Sequence, residues 1–155
     1  GLSPRMRFDL LLQEFIRDAL IDKKISIFGP NHWRPLVHVD DIAFACITAI
    51  ENSKNISGEI YNVGDNEQNY TKKHLAEMIQ KHIPSSTIEV IETKQDPRNY
   101  KVSFDKIKNK LNFNISKTAE DGIDEILNKI KSGELDPRDG QFSNLSKAIE
   151  HVKVF

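Results

Sequence analysis

Apolar residues recur at intervals of three and four from Phe8 to Leu20, at Phe8, Leu11, Leu12, Phe15, Ile16, Ala19 and Leu20. That spacing predicts an amphipathic helix, with Ser3 and Pro4 where it would start. Lys23 and Lys24 lead into a short strand, Ile25 to Phe28, halted by the turn signal Gly29-Pro30-Asn31. A second strand reads from Leu36 to Val39 and ends at Asp40, whose carboxylate can cap the N–H groups of the next helix. That helix, Asp41 to Asn52, carries one polar residue, Thr48, between Ile42 and Ile50. A helix apolar all round must be covered all round. The rest of the chain is too small to cover it and also build its own core, so a missing partner layer and a longer parent chain are expected.

Downstream, Glu59 to Val63 reads as a strand and Gly64 to Asn69 as a polar loop. Thr71 is the expected N-cap of a helix that buries Leu75, Met78, Ile79 and Ile83 and stops at Pro84. The β-branched run Ile88 to Thr93 favours a strand. A short strand, Tyr100 to Phe104, leads to a helical turn from Asp105 to Leu111. Thr118-Ala119-Glu120-Asp121 has capping-box spacing before a helix burying Ile123, Ile126, Leu127 and Ile130. From Gly133 the chain turns polar, with Asp136 to Gly140 as a linker and a modest amphipathic segment from Leu145 to Val154. The expected division is therefore residues 1–132 as one unit and 133–155 as a C-terminal extension.

A length of 155 residues fits one domain and not two. The net charge of -1 comes from 22 basic and 23 acidic residues spread along the chain, without a basic block, so a nucleic-acid partner is not expected. The longest apolar run, Ile42 to Ile47, is far short of a membrane span, and no signal-peptide pattern opens the chain. No membrane partner is expected, and a cytoplasmic protein is the default reading. The single cysteine, Cys46, excludes an internal disulfide and a multi-cysteine metal site. Its apolar neighbours predict a buried structural thiol.

His38 invites an acid–base role, since it lies between Val37 and Val39 and titrates near neutrality. A hydrogen-bonded structural histidine is the preferred reading. His32, His74, His82 and His151 have no metal-ligand spacing, and no metal is assigned. Asp40 and Asp41 are better explained by helix capping than by catalysis.

Three stretches in order carry a family likeness. They are Ile25-Ser26-Ile27-Phe28-Gly29 with Trp33-Arg34-Pro35-Leu36-Val37-His38-Val39-Asp40-Asp41, then Ile60-Tyr61-Asn62-Val63-Gly64, then Asp96-Pro97-Arg98-Asn99-Tyr100 running on to Lys106. Together they resemble the sugar-nucleotide-binding half of the extended short-chain dehydrogenase/reductases, the NAD-dependent nucleotide-sugar epimerases and dehydratases. The resemblance spans roughly Gly1 to Ile130 and implies an α/β fold, the C-terminal part of a Rossmann-like enzyme. In that part a small mixed α/β substrate-binding domain has elements that pack on an absent dinucleotide-binding sheet, the two early strands and the apolar helix among them.

By the same resemblance Ser26 and Phe28 fall at base-contacting positions, where a flat base needs an apolar face and matching backbone groups. Arg34 falls where the family contacts the diphosphate, a task suited to a permanently charged, multi-donor guanidinium. Arg98 resembles a second phosphate- and ribose-side arginine. Arg5 and Arg7 lie where the family approaches the sugar, and Gln13 lies near a polar phosphate-contacting position. The substrate implied is a nucleoside diphosphate sugar, and the cofactor is NAD or NADP held by the full-length enzyme.

This chain has neither a glycine-rich dinucleotide loop nor a Tyr-x-x-x-Lys pair. No catalytic residue is therefore named in it, and by itself it is expected to be inactive and to hold no cofactor. The resemblance further implies an upstream dinucleotide-binding domain and a homodimer made through upstream helices. The competing reading is a non-catalytic sugar-nucleotide-binding or interaction module.

Overall fold

The computed structural model describes residues 1–92 and 98–144. Along the chain these form α1 (Leu11–Ile21), β1 (Lys24–Ile27), β2 (Trp33–Pro35), α2 (Val39–Glu51) and the single turn α3 (Ser53–Ile56). There follow β3 (Asn69–Thr71), α4 (Lys72–His82), β4 (Thr87–Val90), α5 (Asp105–Leu111) and α6 (Ala119–Lys131). The expected terminal segment from Leu145 to Val154, Thr93, and the Asp96-Pro97 start of the third motif lie outside the described residues.

One core is built from helix and strand faces that point inward as their patterns require. α1 buries Leu12, Phe15, Ile16 and Ala19, and α4 buries Leu75, Ala76, Met78 and Ile79. α6 adds Ile123, Ile126 and Leu127, with Ile130 packed at its edge, and β1 inserts Ile25 and Ile27, both fully buried. Thr71 caps α4 by accepting from the His74 N–H at 3.1 Å. Thr118 and Asp121 close the capping box of α6. Each cap satisfies N–H groups that the first helical turn leaves open.

Sequence and structure part company at several places. α1 starts at Leu11, not near Ser3, and its cap Leu10 provides no side-chain hydrogen bond. Phe8 instead sits in a turn, buried, edge to face with Phe142 at 6.2 Å, while its N–H donates to the Phe142 carbonyl at 2.9 Å. Leu135 and Phe142, past Gly133, thus lie on the core, Leu135 buried there.

Both early strands find hydrogen-bonded partners within the chain. β1 runs parallel to β4, from Lys24↔Thr87 to Ile27↔Val90, and β2 runs antiparallel to β3, from Trp33↔Thr71 to Pro35↔Asn69. The expected strand from Leu36 to Val39 is displaced to Trp33–Pro35. Its partner turns into the short helical turn Asn66–Gln68, so the pairing ends with the Leu36 N–H donating to the Gln68 carbonyl at 2.9 Å. α2 then begins at Val39 with His38, not Asp40, as its cap.

Neither Glu59–Val63 nor Tyr100–Phe104 forms a strand. The second is held by asparagine side chains instead. Asn69 donates to the Val102 carbonyl and accepts from the Val102 N–H, both at 3.0 Å, and Asn66 accepts from the Phe104 N–H at 2.9 Å. A carboxamide offers a donor and an acceptor side by side, as a neighbouring strand would.

α2 is inverted relative to the other helices. It buries Asp41, Ala45 and Thr48, while Ile42, Phe44, Ile47 and Ile50 are exposed, Ile50 to 73%. Beside it Ile60 is 83% exposed. Cys46 also faces outward, contrary to the buried thiol expected from its neighbours, because the apolar face it belongs to is uncovered in this chain.

Candidate functional site

β1 ends at a sharp turn. Gly29 has φ of +62°, and a Cβ there would lie 2.8 Å from His32 Nδ1, so backbone and space both require glycine. The turn throws Phe28 clear of the core, 44% exposed, at the rim of a cleft of about 560 Å³. Ser26, Phe28, Arg34 and Arg98 line this cleft together, with Lys72, Tyr100, Leu10, Leu11, Phe15, Asp9, Glu14 and Asp18 completing the wall.

The backbone of β1 is oriented for reading a ligand edge. The Ile27 carbonyl accepts from Ile91 and the Lys23 carbonyl from Thr87, both toward β4. Alternate residues of a strand direct their polar groups to the opposite edge, so Ser26 and Phe28 present theirs away from β4. The Phe28 carbonyl takes a hydrogen bond from Lys72 Nζ at 3.0 Å.

Arg34 and Arg98 meet although 64 residues separate them. Arg34 Nη1 donates to its neighbour Trp33's carbonyl at 2.6 Å and to the Arg98 carbonyl at 2.7 Å, and its guanidinium lies 5.6 Å from the Tyr100 ring centre. The Trp33 N–H donates to Asn99 Oδ1 at 2.9 Å, which ties the Arg98–Tyr100 segment to β2. The guanidinium is thus pre-set by backbone carbonyls, which reduces the entropy lost on binding an anion.

The remaining sequence candidates disperse. Gln13 lines an adjoining hollow of about 330 Å³, which shares Arg34 and is otherwise walled by Leu10 to Leu12, Pro35 to His38 and the start of α6. Arg7 makes a two-pronged pair with Asp9 at 2.6 and 3.0 Å, and Arg5 donates to Asn144 at 2.7 Å. Neither arginine lines either space. The Arg7 bonds hold the Asp9 carboxyl below the usual carboxylate range.

Lys72 is the principal residue that motif reading missed. It is 5% exposed at the first position of α4. A cation there opposes the helix dipole, the one hint of a special role that the sequence offered. In the same cleft, burial raises the Glu14 carboxyl above its ordinary value, Asp18 and Asp9 add to the rise, and Arg17 and Lys72 oppose it. The cleft is therefore lined by the cations Arg34, Lys72 and Arg98 and by the acids Asp9, Glu14 and Asp18, the last two on α1.

His38 is the satisfied, structural histidine that the sequence favoured. It is buried, its Nδ1 accepts from the Asp40 N–H at 3.2 Å, and its Nε2 lies 2.9 Å from Glu125. His38, Asp40 and Glu125 bring three metal-ligand types within 4.8 Å, but Lys117 bridges both carboxylates and supplies their counter-charge. Burial alone would raise the Glu125 carboxyl, yet hydrogen bonds from Lys117 and His38 bring it down to about 2. Buried Asp41 accepts from the Ser116 N–H and hydroxyl at 2.7 Å and from the Lys117 N–H at 3.3 Å, pinning this loop to α2 rather than capping it.

Residues 5–64 match the model of the NAD dependent epimerase/dehydratase family. Among solved structures, UDP-glucuronic acid 4-epimerase from Bacillus cereus, in complex with UDP-glucuronic acid and NAD, is 25% identical with a TM-score of 0.70, over 84% of this chain and 42% of that one. dTDP-glucose 4,6-dehydratase from Bacillus anthracis str. Ames, in complex with NAD, is 25% identical with a TM-score of 0.68, over 86% and 42%. Pal from Bacillus thuringiensis is 26% identical with a TM-score of 0.65, over 79% and 39%. Family match and structural likeness agree: the chain is similar to the NAD-dependent epimerase/dehydratases of the extended short-chain dehydrogenase/reductase type. It spans about two fifths of the length of these structures, consistent with their C-terminal part. Among the described residues no helix is long and apolar enough to cross a membrane.

The seven glycines are too widely spaced for a phosphate-cradling loop, and no tyrosine has a lysine four positions on.

Proposed function

We propose that this chain is the substrate-holding part of an NAD(P)-dependent epimerase or dehydratase acting on a nucleoside diphosphate sugar. The carrying observation is the cleft, which collects Ser26, Phe28, Arg34 and Arg98 from three separated segments. In this reading the open edge of β1 and the Phe28 ring hold the base, and Arg34 with Arg98 clamps the diphosphate. The sugar extends past Arg34 toward the hollow lined by Gln13. Arg5 and Arg7 act on the sugar side only if they leave Asn144 and Asp9.

The catalytic tyrosine and lysine and the cofactor loop belong, in this proposal, to a dinucleotide-binding domain upstream, whose sheet covers the outward face of α2. NAD or NADP bound there supplies hydride transfer at the sugar, and this chain contributes grip and orientation. Residues 1–132 form the substrate part and 133–155 an extension, and the full-length protein works as a cytoplasmic homodimer.

Calorimetric titration of the intact protein with UDP, dTDP, CDP, ADP and GDP tests the binding half of the proposal. At least one nucleotide binds, and Arg34→Ala weakens it by roughly 10- to 100-fold, the effect of losing a hydrogen-bonded charge. Absence of binding to every nucleotide contradicts the proposal. Release of NAD or NADP from the purified full-length protein tests the catalytic half, and a full-length protein that neither holds nor binds either cofactor leaves only a non-catalytic binding module.

A further inference from the structure

The cleft is lined by charges of both signs, and the sugar-nucleotide reading above uses only the cations. Arg34, Lys72 and Arg98 suit a diphosphate, but Asp9, Glu14 and Asp18 line the same space and would repel it. A ligand that tolerates both sets has an anionic portion and, apart from it, a portion that donates hydrogen bonds.

Of the three acids, Glu14 has the weakest commitment. Asp9 is held by both arms of Arg7, and Asp18 by Arg17 at 2.7 Å. Glu14 reaches Arg17 only at 3.6 Å. It lines the cleft together with Ser26 and Phe28, and its helix α1 packs against β1. Ser26 and Phe28 stand on one side of β1, two residues apart. The Phe28 carbonyl is already engaged by Lys72, and the Glu14 carboxyl adds a further acceptor to the cleft for a base amino group. Burial and Asp18 disfavour the charge on this half-buried carboxylate, and a hydrogen-bond donor brought by a ligand would offset both.

Resting on the proposed function, we infer that Glu14 is a specificity-determining residue that selects a base bearing an exocyclic amino group. Cytosine, adenine and guanine present such a donor. Uracil and thymine place a carbonyl oxygen at the corresponding edge, where a carboxylate repels it.

The test is titration of the intact wild-type protein and of Glu14→Gln and Arg34→Ala with CDP, ADP, GDP, UDP and dTDP. The expected result is that one amino-bearing nucleotide binds wild type at least tenfold more tightly than UDP or dTDP. Glu14→Gln, whose amide can also donate to a carbonyl, then narrows that ratio to twofold or less, chiefly by improving UDP and dTDP, while Arg34→Ala weakens all nucleotides and preserves the ratio. UDP or dTDP binding wild type as tightly as the amino-bearing set, or a ratio unchanged in Glu14→Gln, overturns the role of Glu14 and leaves the sugar-nucleotide reading standing. No binding by any nucleotide overturns both. Thermal melting of each variant separates a lost fold from a lost contact.

Discussion

α6 and α2 have equal length and opposite orientation. α6 turns Ile123, Ile126 and Leu127 into the core and its charges outward. α2 turns Asp41 and Thr48 inward and leaves Ile42, Phe44, Ile47 and Ile50 outside. Burying apolar area is worth about 25 cal/mol per Å², so a helix does not settle inside out for its own stability. The polar residues of α2 are spent on fixed contacts, Asp41 on the Ser116–Lys117 loop and Thr48 on the Phe44 carbonyl. Its apolar side is therefore a face made to be covered, whereas α6 is complete within this chain.

Substitution at matched isoleucines separates the two helices most sharply. Ile123→Ala removes a fully buried side chain and is expected to cost about 2–5 kcal/mol, read from the urea midpoint. Asp41→Asn can keep an oxygen on Ser116 but then sets its NH2 against the Lys117 N–H, at a cost of about 1–3 kcal/mol by the same measurement.

The ion-pair network linking the two helices has a pH signature. The Glu125 carboxyl falls from 4.5 to about 2 on folding, so its contribution is complete above the unfolded value and lost as pH drops from 4.5 toward 2. Urea midpoints measured down that range decline in wild type, and Glu125→Gln flattens the part of the decline that Glu125 causes. The smallest effect is at Ile47, 52% exposed, where Ile47→Ala changes the stability of this chain by no more than about 0.5 kcal/mol. In the full-length protein the same change is expected to cost several times that, because the covering sheet would bury it.

The elements with a single inward face were legible in the sequence. Thr71, Thr118 and the isoleucines of α4 and α6 announced their helices because caps and periodicity are local. The family likeness was legible too, since three short motifs carried it. What could not be read were ladders that depend on distant partners. The displaced β2 depended on where the Asn69–Thr71 partner turned away, and Tyr100–Phe104 lost its strand to Asn66 and Asn69, whose side chains satisfy its backbone. In the cleft, motifs named Ser26, Phe28, Arg34 and Arg98, while Lys72 and the acids Asp9, Glu14 and Asp18 emerged only when the elements packed. Cys46 misled because the rule that apolar neighbours bury a thiol assumes a helix whose apolar face is covered.

That thiol is also the most direct probe of the account. The rate at which Cys46 reacts with a soluble disulfide reagent should be measured in this chain and in the full-length protein under native conditions. The account predicts rapid reaction in this chain, where Cys46 is exposed, and reaction at least a hundredfold slower in the full-length protein, where the proposed dinucleotide-binding domain would cover α2. Equal rates in the two would show that nothing covers the outward face of α2, and would contradict the claim that this chain is one part of a two-part enzyme.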